Sequence, residues 1–307
     1  MQIVIRQMSG LGNQLFQYAA GRYYAHRYQA SLRIAIDPDR QAASYGYPRP
    51  CQLGAFCIEA PASPATAWEN FACTVNRRLR PVADRVLAAL GSRCWSGPGV
   101  YHFAPELPFE KLPQRLYLRS YFEVAGYAEA AAEELRREFR FRTEASGKNA
   151  ATLAAIAASR CPVSVHLRRG DFALAHHNYA LPMRYYELAW QIILEENENA
   201  EFFIFSDDID FARAHLPAAG RRHFVSHNDA ATAWEDLRLM AACRKHIIAN
   251  STFSWWGAWL NPRAEKEVLA PKYWRNTPDS DYPGVLPSAW RKIDTLRDAP
   301  ETITAQY

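Results

Sequence analysis

The sequence predicts an α/β protein made of two doubly wound domains, each built on a parallel sheet. Three observations carry this. The chain opens on a strand, a glycine loop, a helix and a second strand, the unit that seeds a parallel sheet. From residue 161 to residue 271 short β-branched or aromatic runs alternate with helical patterns. The 307 residues, 49% hydrophobic and 22% charged, hold enough apolar material for two cores.

In order, "QIVIR" (residues 2–6) reads as a buried strand and "MSGLGNQ" as a tight loop. "QLFQYAAGRYYAHRYQ" has apolar residues at helical spacing, and "ASLRIAID" is a second strand. From residue 38 to about residue 115 prolines are frequent and the apolar pattern is irregular. There "TVNRRLRPVADRVLAALG" reads as one helix interrupted at Pro81. "QRLYLRSYF" (114–122) is a strand and "EVAGYAEAAAEELRREF" a helix. The small, polar run "RTEASGKNA" (142–150) marks a junction, giving domains 1–147 and 148–307. After a helix "AATLAAIAAS", strands are expected at "PVSVHLR", "EFFIFSDD", "RRHFVSH", "KHIIAN" and "EKEVLAP". Helices are expected between them at "PMRYYELAWQIILEE", "IDFARAHL", "AATAWEDLRLMAACR" and "STFSWWGAWLN".

The net charge is +4, with Lys and Arg spread along the chain, so no nucleic-acid footprint is present. No apolar run is long enough for a membrane span, and "MQIVIRQMSG" lacks the parts of a signal peptide. The six cysteines, Cys51, Cys57, Cys73, Cys94, Cys161 and Cys243, form no C-x-x-C pair. They fit reduced thiols in a cytoplasm rather than a disulfide frame or zinc site. Nine tryptophans and sixteen tyrosines suit a sugar-handling cleft, though large cores use such rings too.

In doubly wound sheets ligands gather at strand C-termini. Here four such ends carry polar chemistry, residues 10–14, 166–171, 206–208 and 250–254, which converge only if both domains face one cleft. In "SGLGNQ" the dinucleotide fingerprint fails, because Leu15 stands where its third glycine belongs, although Asp37 ends the second strand. Taken alone, this loop is a tight turn with Asn13 as helix N-cap. In "HLRRGD" alternation places His166 and Arg168 on one face and Arg169 on the other. Arg168 suits phosphate oxygens, and Arg169 suits bracing Asp171 or its loop. In "NSTFSWWGAWLN", Ser251, Thr252 and Ser254 gather at a helix N-terminus, an anion site; Ser251 or Thr252 also serves as its cap. At least two of Trp255, Trp256 and Trp259 are expected to pack rather than stack on sugar. Asp207, Asp208 and Asp210 either hold a divalent cation or cap the next helix. Capping is favoured, because an arginine and a helix end neutralise a pyrophosphate without metal. Asp236 either accepts two hydrogen bonds from a guanine edge or faces solvent; periodicity does not choose.

"SGLGNQLFQYAAGR", "VHLRRGDF", "FSDD" and "IIANSTFSWWGAWLNP", in this order, resemble the GDP-fucose-dependent α-1,2-fucosyltransferases of glycosyltransferase family 11. The H-x-R-R-x-D segment also resembles α-1,6-fucosyltransferases and protein O-fucosyltransferases. The resemblance runs from residue 3 to about residue 290, and "ANSTFSWWGAWLN" is its most specific part. It implies a GT-B-like arrangement: two Rossmann-like domains facing a central cleft, acceptor side N-terminal, GDP-fucose mainly on the C-terminal domain. Arg168 matches the arginine that grips the β-phosphate. His166 and Asp236 match positions contacting guanosine, and Ser251, Thr252 and Ser254 positions contacting phosphate. Asn13 matches a residue near the sugar and acceptor, and Gly12 beside it is counted with the donor site. The implied reaction is inverting transfer of L-fucose from GDP-β-L-fucose to the 2-hydroxyl of a galactoside, with no cofactor and no metal. Asp171, another carboxylate or a water relay removes the acceptor proton. The rival readings are a non-catalytic nucleotide-sugar binding protein and a metal-dependent glycosyltransferase using the three aspartates. Expected partners are GDP-fucose and an acceptor glycan. The expected place is the cytoplasm, at the inner membrane face through peripheral contact only.

Overall fold

The computed structural model describes residues 1–36, 50–75, 78–170, 180–275, 280–282 and 284–295. The chain divides into two compact units, Met1–Glu144 and Ala145–Tyr307. The division falls inside the polar stretch 142–150, three residues earlier than the expected end at residue 147.

The first unit is centred on β1 (Gln2–Arg6), whose Ile3, Val4 and Ile5 are all buried. A strand apolar on both faces belongs inside a covered parallel sheet. Its neighbours are β2 (Ser31–Ile36) and β5 (Arg115–Leu118), with β3 (Ala62–Pro64) and β4 (Ser92–Trp95) at the edges. The sheet is parallel throughout, in the order β3-β2-β1-β5-β4. Helix α1 (Leu11–Arg27) lies close against it: a Cβ on Gly21 would come 2.3 Å from Ile5 Cδ1, so only glycine fits there.

Several local expectations are corrected. Helix α1 starts at Leu11, and Asn13 is not its cap; Gly10 is, with no side-chain cap bond. The reason is that two glutamines organise the loop instead. Gln14 Nε2 donates to the carbonyls of Ser9 and Pro50, both at 2.9 Å, and Gln17 pairs with both backbone groups of Met8. Pro81 does not interrupt a helix. It lies in the first turn of α3 (Arg80–Ala89), where its missing N–H has no bond to lose. The preceding α2 (Ala67–Thr74) is separate and begins with a reciprocal capping box between Thr66 and Glu69. The helix expected over 123–139 is two, α4 (Ala125–Ala130) and α5 (Ala132–Glu138), broken at Ala131. The strand expected over 114–122 keeps only Arg115–Leu118, and Phe122 turns the chain at φ 53°.

The second unit follows the predicted alternation. Its strands are β6 (Cys161–Leu167), β7 (Ala200–Ser206), β8 (Arg221–Val225), β9 (Lys245–Ile247), β10 (Glu267–Pro271) and β11 (Arg291–Ile293). They form a parallel sheet in the order β11-β10-β9-β6-β7-β8. Helices α6 (Gly147–Ala158), α7 (Met183–Glu196), α8 (Ile209–His215), α9 (Ala233–Ala242) and α10 (Thr252–Leu260) connect and cover them. β6 is central and buried at every residue. Trp190 of α7 stacks on Phe202 of β7 with centroids 3.6 Å apart, inside the core they share with Val163, Val165 and Ile204. Losing a ring of this kind costs about 3–5 kcal/mol. β9 is shorter than the expected run to residue 250, and β8 stops at Val225; β11 was not foreseen.

Candidate active site

Parallel pairing sets which strand ends meet. β6 pairs with β7 so that His166 faces Phe205 and Leu167 faces Ser206, and with β9 so that Val165 faces Ile247. The C-terminal ends of β7, β6 and β9 therefore lie side by side, and the segments that follow them share one sheet edge.

One carboxylate organises this edge. Asp207 Oδ2 lies 2.7 Å from Arg168 Nη1, and its Oδ1 accepts the backbone N–H of Arg169 at 2.9 Å. Gly170 makes the arrangement possible: a Cβ there would sit 2.4 Å from Asp207 Oδ2. Arg169 points elsewhere. Its guanidinium lies 3.5 Å from the centroid of Phe211 and 3.6 Å from Asp208 Oδ2. Asp208 in turn caps α8, its Oδ1 accepting from Phe211 N at 3.1 Å. The adjacent aspartates thus have different tasks, a helix cap and an arginine anchor. Arg169 was expected to brace Asp171 or its loop; among the described residues its contacts are instead with Phe211 and Asp208, and Asp171 lies outside them.

His166 is buried, with its ring 5.6 Å from Phe253 at the start of α10. Burial foremost, and then the Arg168 charge, push its pKa down to about 3, so the imidazole is neutral at physiological pH. Its Nδ1 is buried and, among the described residues, has no hydrogen-bond partner. Such a group is costly unless something else pairs with it, which makes it a functional-site marker.

Ser251 is the N-cap of α10, its Oγ accepting from Phe253 N at 3.3 Å. Thr252 opens the helix beside it, half-buried. The Ser254 hydroxyl faces the carbonyls of Ser251 and Ala249, at 3.4 and 3.5 Å, so it is turned inward. All three helix tryptophans are buried, which assigns Trp255, Trp256 and Trp259 to packing.

Asp236 belongs to a second polar group. Its Oδ1 accepts from Asn228 Nδ2 at 2.7 Å. Asn228 and Asn149 exchange amide hydrogen bonds at 2.9 and 3.0 Å, and His227 Nε2 lies 2.7 Å from Asn149 Oδ1. Burial raises the Asp236 pKa to about 6, against the pull of the Asn228 bond and with help from Glu235. Periodicity singled out none of these partners. Gly12 and Asn13 belong to the first unit. Gly12 is buried in the first turn of α1, and Asn13 Oδ1 is buried with no hydrogen-bond partner among the described residues. Among those residues, no three His, Cys, Asp or Glu side chains gather as a metal set.

Sequence reasoning missed Asp207 as the arginine anchor, Gly170 as the residue that admits it, and Phe253 beside His166. No spacing rule could have found them, because each depends on which strands are neighbours.

An arginine, an unpaired imidazole nitrogen and a helix tip at the strand ends of a parallel sheet are the equipment of an α/β protein that binds an anionic ligand. The fold agrees with glycosyltransferases of the GT-B-like kind. The fucosyltransferase NodZ from Bradyrhizobium is similar with TM-score 0.51 and 17% identity, covering 85% of this chain and 93% of that one. Arabidopsis thaliana FUT1 in complex with GDP is similar with TM-score 0.52 and 11% identity, covering 91% and 73%. The family model described as Glycosyl transferase family 11 matches residues 104–285, more than half of the sequence, and the chain belongs to that family.

Among curated relatives, the α-1,2-colitosyltransferase of Escherichia coli is 27% identical over 304 residues, 95% of this chain and 99% of that protein. The O-antigen biosynthesis glycosyltransferase WbnK of Escherichia coli is 37% identical over 115 residues, 36% of this chain and 38% of that protein. Galactoside α-(1,2)-fucosyltransferase 1 of Aotus azarae is 26% identical over 156 residues, 48% of this chain and 38% of that protein. No helix among the described residues is long and apolar enough to cross a membrane.

Proposed function

We propose that this chain transfers L-fucose from GDP-β-L-fucose to the 2-hydroxyl of a galactoside in a glycan, inverting the anomeric carbon and using no metal ion. The observation that carries this is the strand-end arrangement: Arg168 anchored by Asp207, next to the buried, unpaired Nδ1 of His166 and the tip of α10. When the anomeric C–O bond breaks, the sugar becomes oxocarbenium-like and the electron pair stays on the leaving GDP. The growing pyrophosphate charge needs fixed positive partners, and an anchored guanidinium with a helix N-terminus supplies them without reorganising. His166 offers a neutral nitrogen to the nucleoside, and Asp236 offers its carboxylate to the guanine edge. Ser251 and Thr252 present the helix tip. Gly12 is assigned to the donor, and Asn13 to the sugar and acceptor. The acceptor proton passes to Asp171 or to a water relay. The reaction takes place in the cytoplasm, at the inner membrane face.

A second donor is favoured by the α-1,2-colitosyltransferase, whose alignment spans 99% of that protein. Colitose is fucose without its 3-hydroxyl, so the same phosphate cradle serves both, and only the contacts to the sugar ring discriminate.

The test is transfer by the purified chain from GDP-fucose and GDP-colitose to a panel of β-galactosides in EDTA, with the product linkage read by NMR. An α-1,2-linked product in EDTA is expected. GDP binding without transfer from either donor would make this a binding protein, and loss of transfer in EDTA would restore the metal-dependent mechanism.

A further inference from the structure

We infer that α2 and α3 of the first unit form a docking surface for an anionic lipid bilayer, a site separate from the transfer chemistry and independent of which sugar is transferred. Among the described residues eight large apolar side chains are exposed, and five of them, Phe71, Leu79, Val82, Val86 and Leu90, fall within these 20 residues of chain. Leu79, Val82 and Leu90 keep 58%, 59% and 60% of their surface in water. Positions 79, 82, 86 and 90 follow helical spacing, so they line one stripe. Ala83 and Leu87, the adjacent stripe of α3, are buried. The helix therefore has two apolar stripes, and only one serves the core. Arg80 ties the two helices into one platform, its Nη1 donating to the Ala72 carbonyl at 2.7 Å.

Charge identifies what covers this face. Arg78 and Arg85 are exposed beside the stripe, and neither is paired with a carboxylate among the described residues. Asp84, the carboxylate of α3, lies 2.9 Å from Arg80, and Glu69 of α2 is buried in an ion pair with Arg33. The face is thus apolar and positive. Trp68 packs against the exposed Phe71 with centroids 5.3 Å apart, an aromatic pair of the kind that settles at headgroup depth. A second copy docking by a twofold axis would bring two positively charged faces together. An anionic bilayer takes the apolar stripe and rewards each arginine with roughly fivefold in partitioning.

The experiment uses the full chain and sedimentation with vesicles of phosphatidylcholine, with and without phosphatidylglycerol. Binding is expected to the phosphatidylglycerol vesicles, weaker by on the order of tenfold or more without them, and to fall as salt screens the arginines. Val82→Glu with Val86→Glu, and separately Arg78→Glu with Arg85→Glu, should each reduce binding by on the order of tenfold or more while thermal unfolding stays unchanged. All four positions are exposed, so the fold survives. The inference is overturned if wild type ignores both vesicles or if the variants bind like wild type. It is overturned too if wild type self-associates through this face, seen as a dimer that the valine variants abolish.

Discussion

Replacing Arg168 by alanine separates chemistry from folding, because the structure assigns the two effects different sizes. The Arg168 and Asp207 side chains are 19% and 24% exposed, so their ion pair is partly solvated. A pair of this kind is worth about 1 kcal/mol or less. Asp207 would keep the Arg169 N–H as a partner at 2.9 Å. The variant should therefore lose about 1 kcal/mol of stability, seen as a fall of about 2–4 °C in Tm. If Arg168 stabilises the leaving diphosphate, the barrier rises by about 2.7–4 kcal/mol, a loss of about a hundredfold to a thousandfold in turnover. The assay is release of GDP from GDP-fucose with a galactoside acceptor well below the melting transition, with GDP affinity from calorimetry and Tm on the same preparation. Arg168→Lys should fall between, since an ammonium keeps the charge but not the fork. Asp207→Asn should cost less than Arg168→Ala, because it loosens the guanidinium without removing it. Two results refute the reasoning: a kcat/KM for Arg168→Ala within about fivefold of wild type, or Asp207→Asn proving the more damaging change.

Gly170→Ala should push the Asp207 carboxylate away from Arg168 at little cost in stability, because the clashing atom ends a side chain; turnover falling while urea unfolding is unchanged is the expected pair of readings. Acid should weaken the fold as the pH falls from about 6.5 towards 3. Burial holds His166 and His246 near pKa 3, so the unfolded chain takes up protons there that the folded one refuses, each at about 1.4 kcal/mol per pH unit. His227 shifts in the same direction, whereas Asp236, raised to about 6, returns some stability as it protonates in the folded state first. His246→Asn should flatten the dependence measured by urea titration, and an unchanged slope would place the cause elsewhere. GDP affinity should fall as pH drops through about 6 if Asp236 accepts from the base, and Asp236→Asn should abolish that dependence.

In the second unit each strand from β6 to β10 was legible as an apolar run between polar turns, because a parallel strand covered on both faces has a simple local signature. The first unit was harder. β3 is only "ASP", at a sheet edge, and carries no period, so its pairing with β2 is a backbone matter. The capping box before α2 was readable as T-x-x-E and passed unnoticed among the prolines. Asn13 looked like a cap because Gly10 and Gly12 flank the loop; the side chains of Gln14 and Gln17 moved the helix start.

Arg168 could be singled out from its place behind a buried run, since a strand followed by paired arginines is local information. Its anchor could not, because Asp207 lies 38 residues beyond Arg169 and meets it only through the register of β6 on β7. Asp208, next in the chain and chemically identical, caps α8 instead. Local pattern is enough for the order of elements and for the chemistry at each strand end, because periodicity and turn residues act over a few positions. Strand order and register settled which aspartate grips the arginine and that Phe253 lies beside His166, because contacts between distant segments follow from sheet pairing and leave no trace in local spacing.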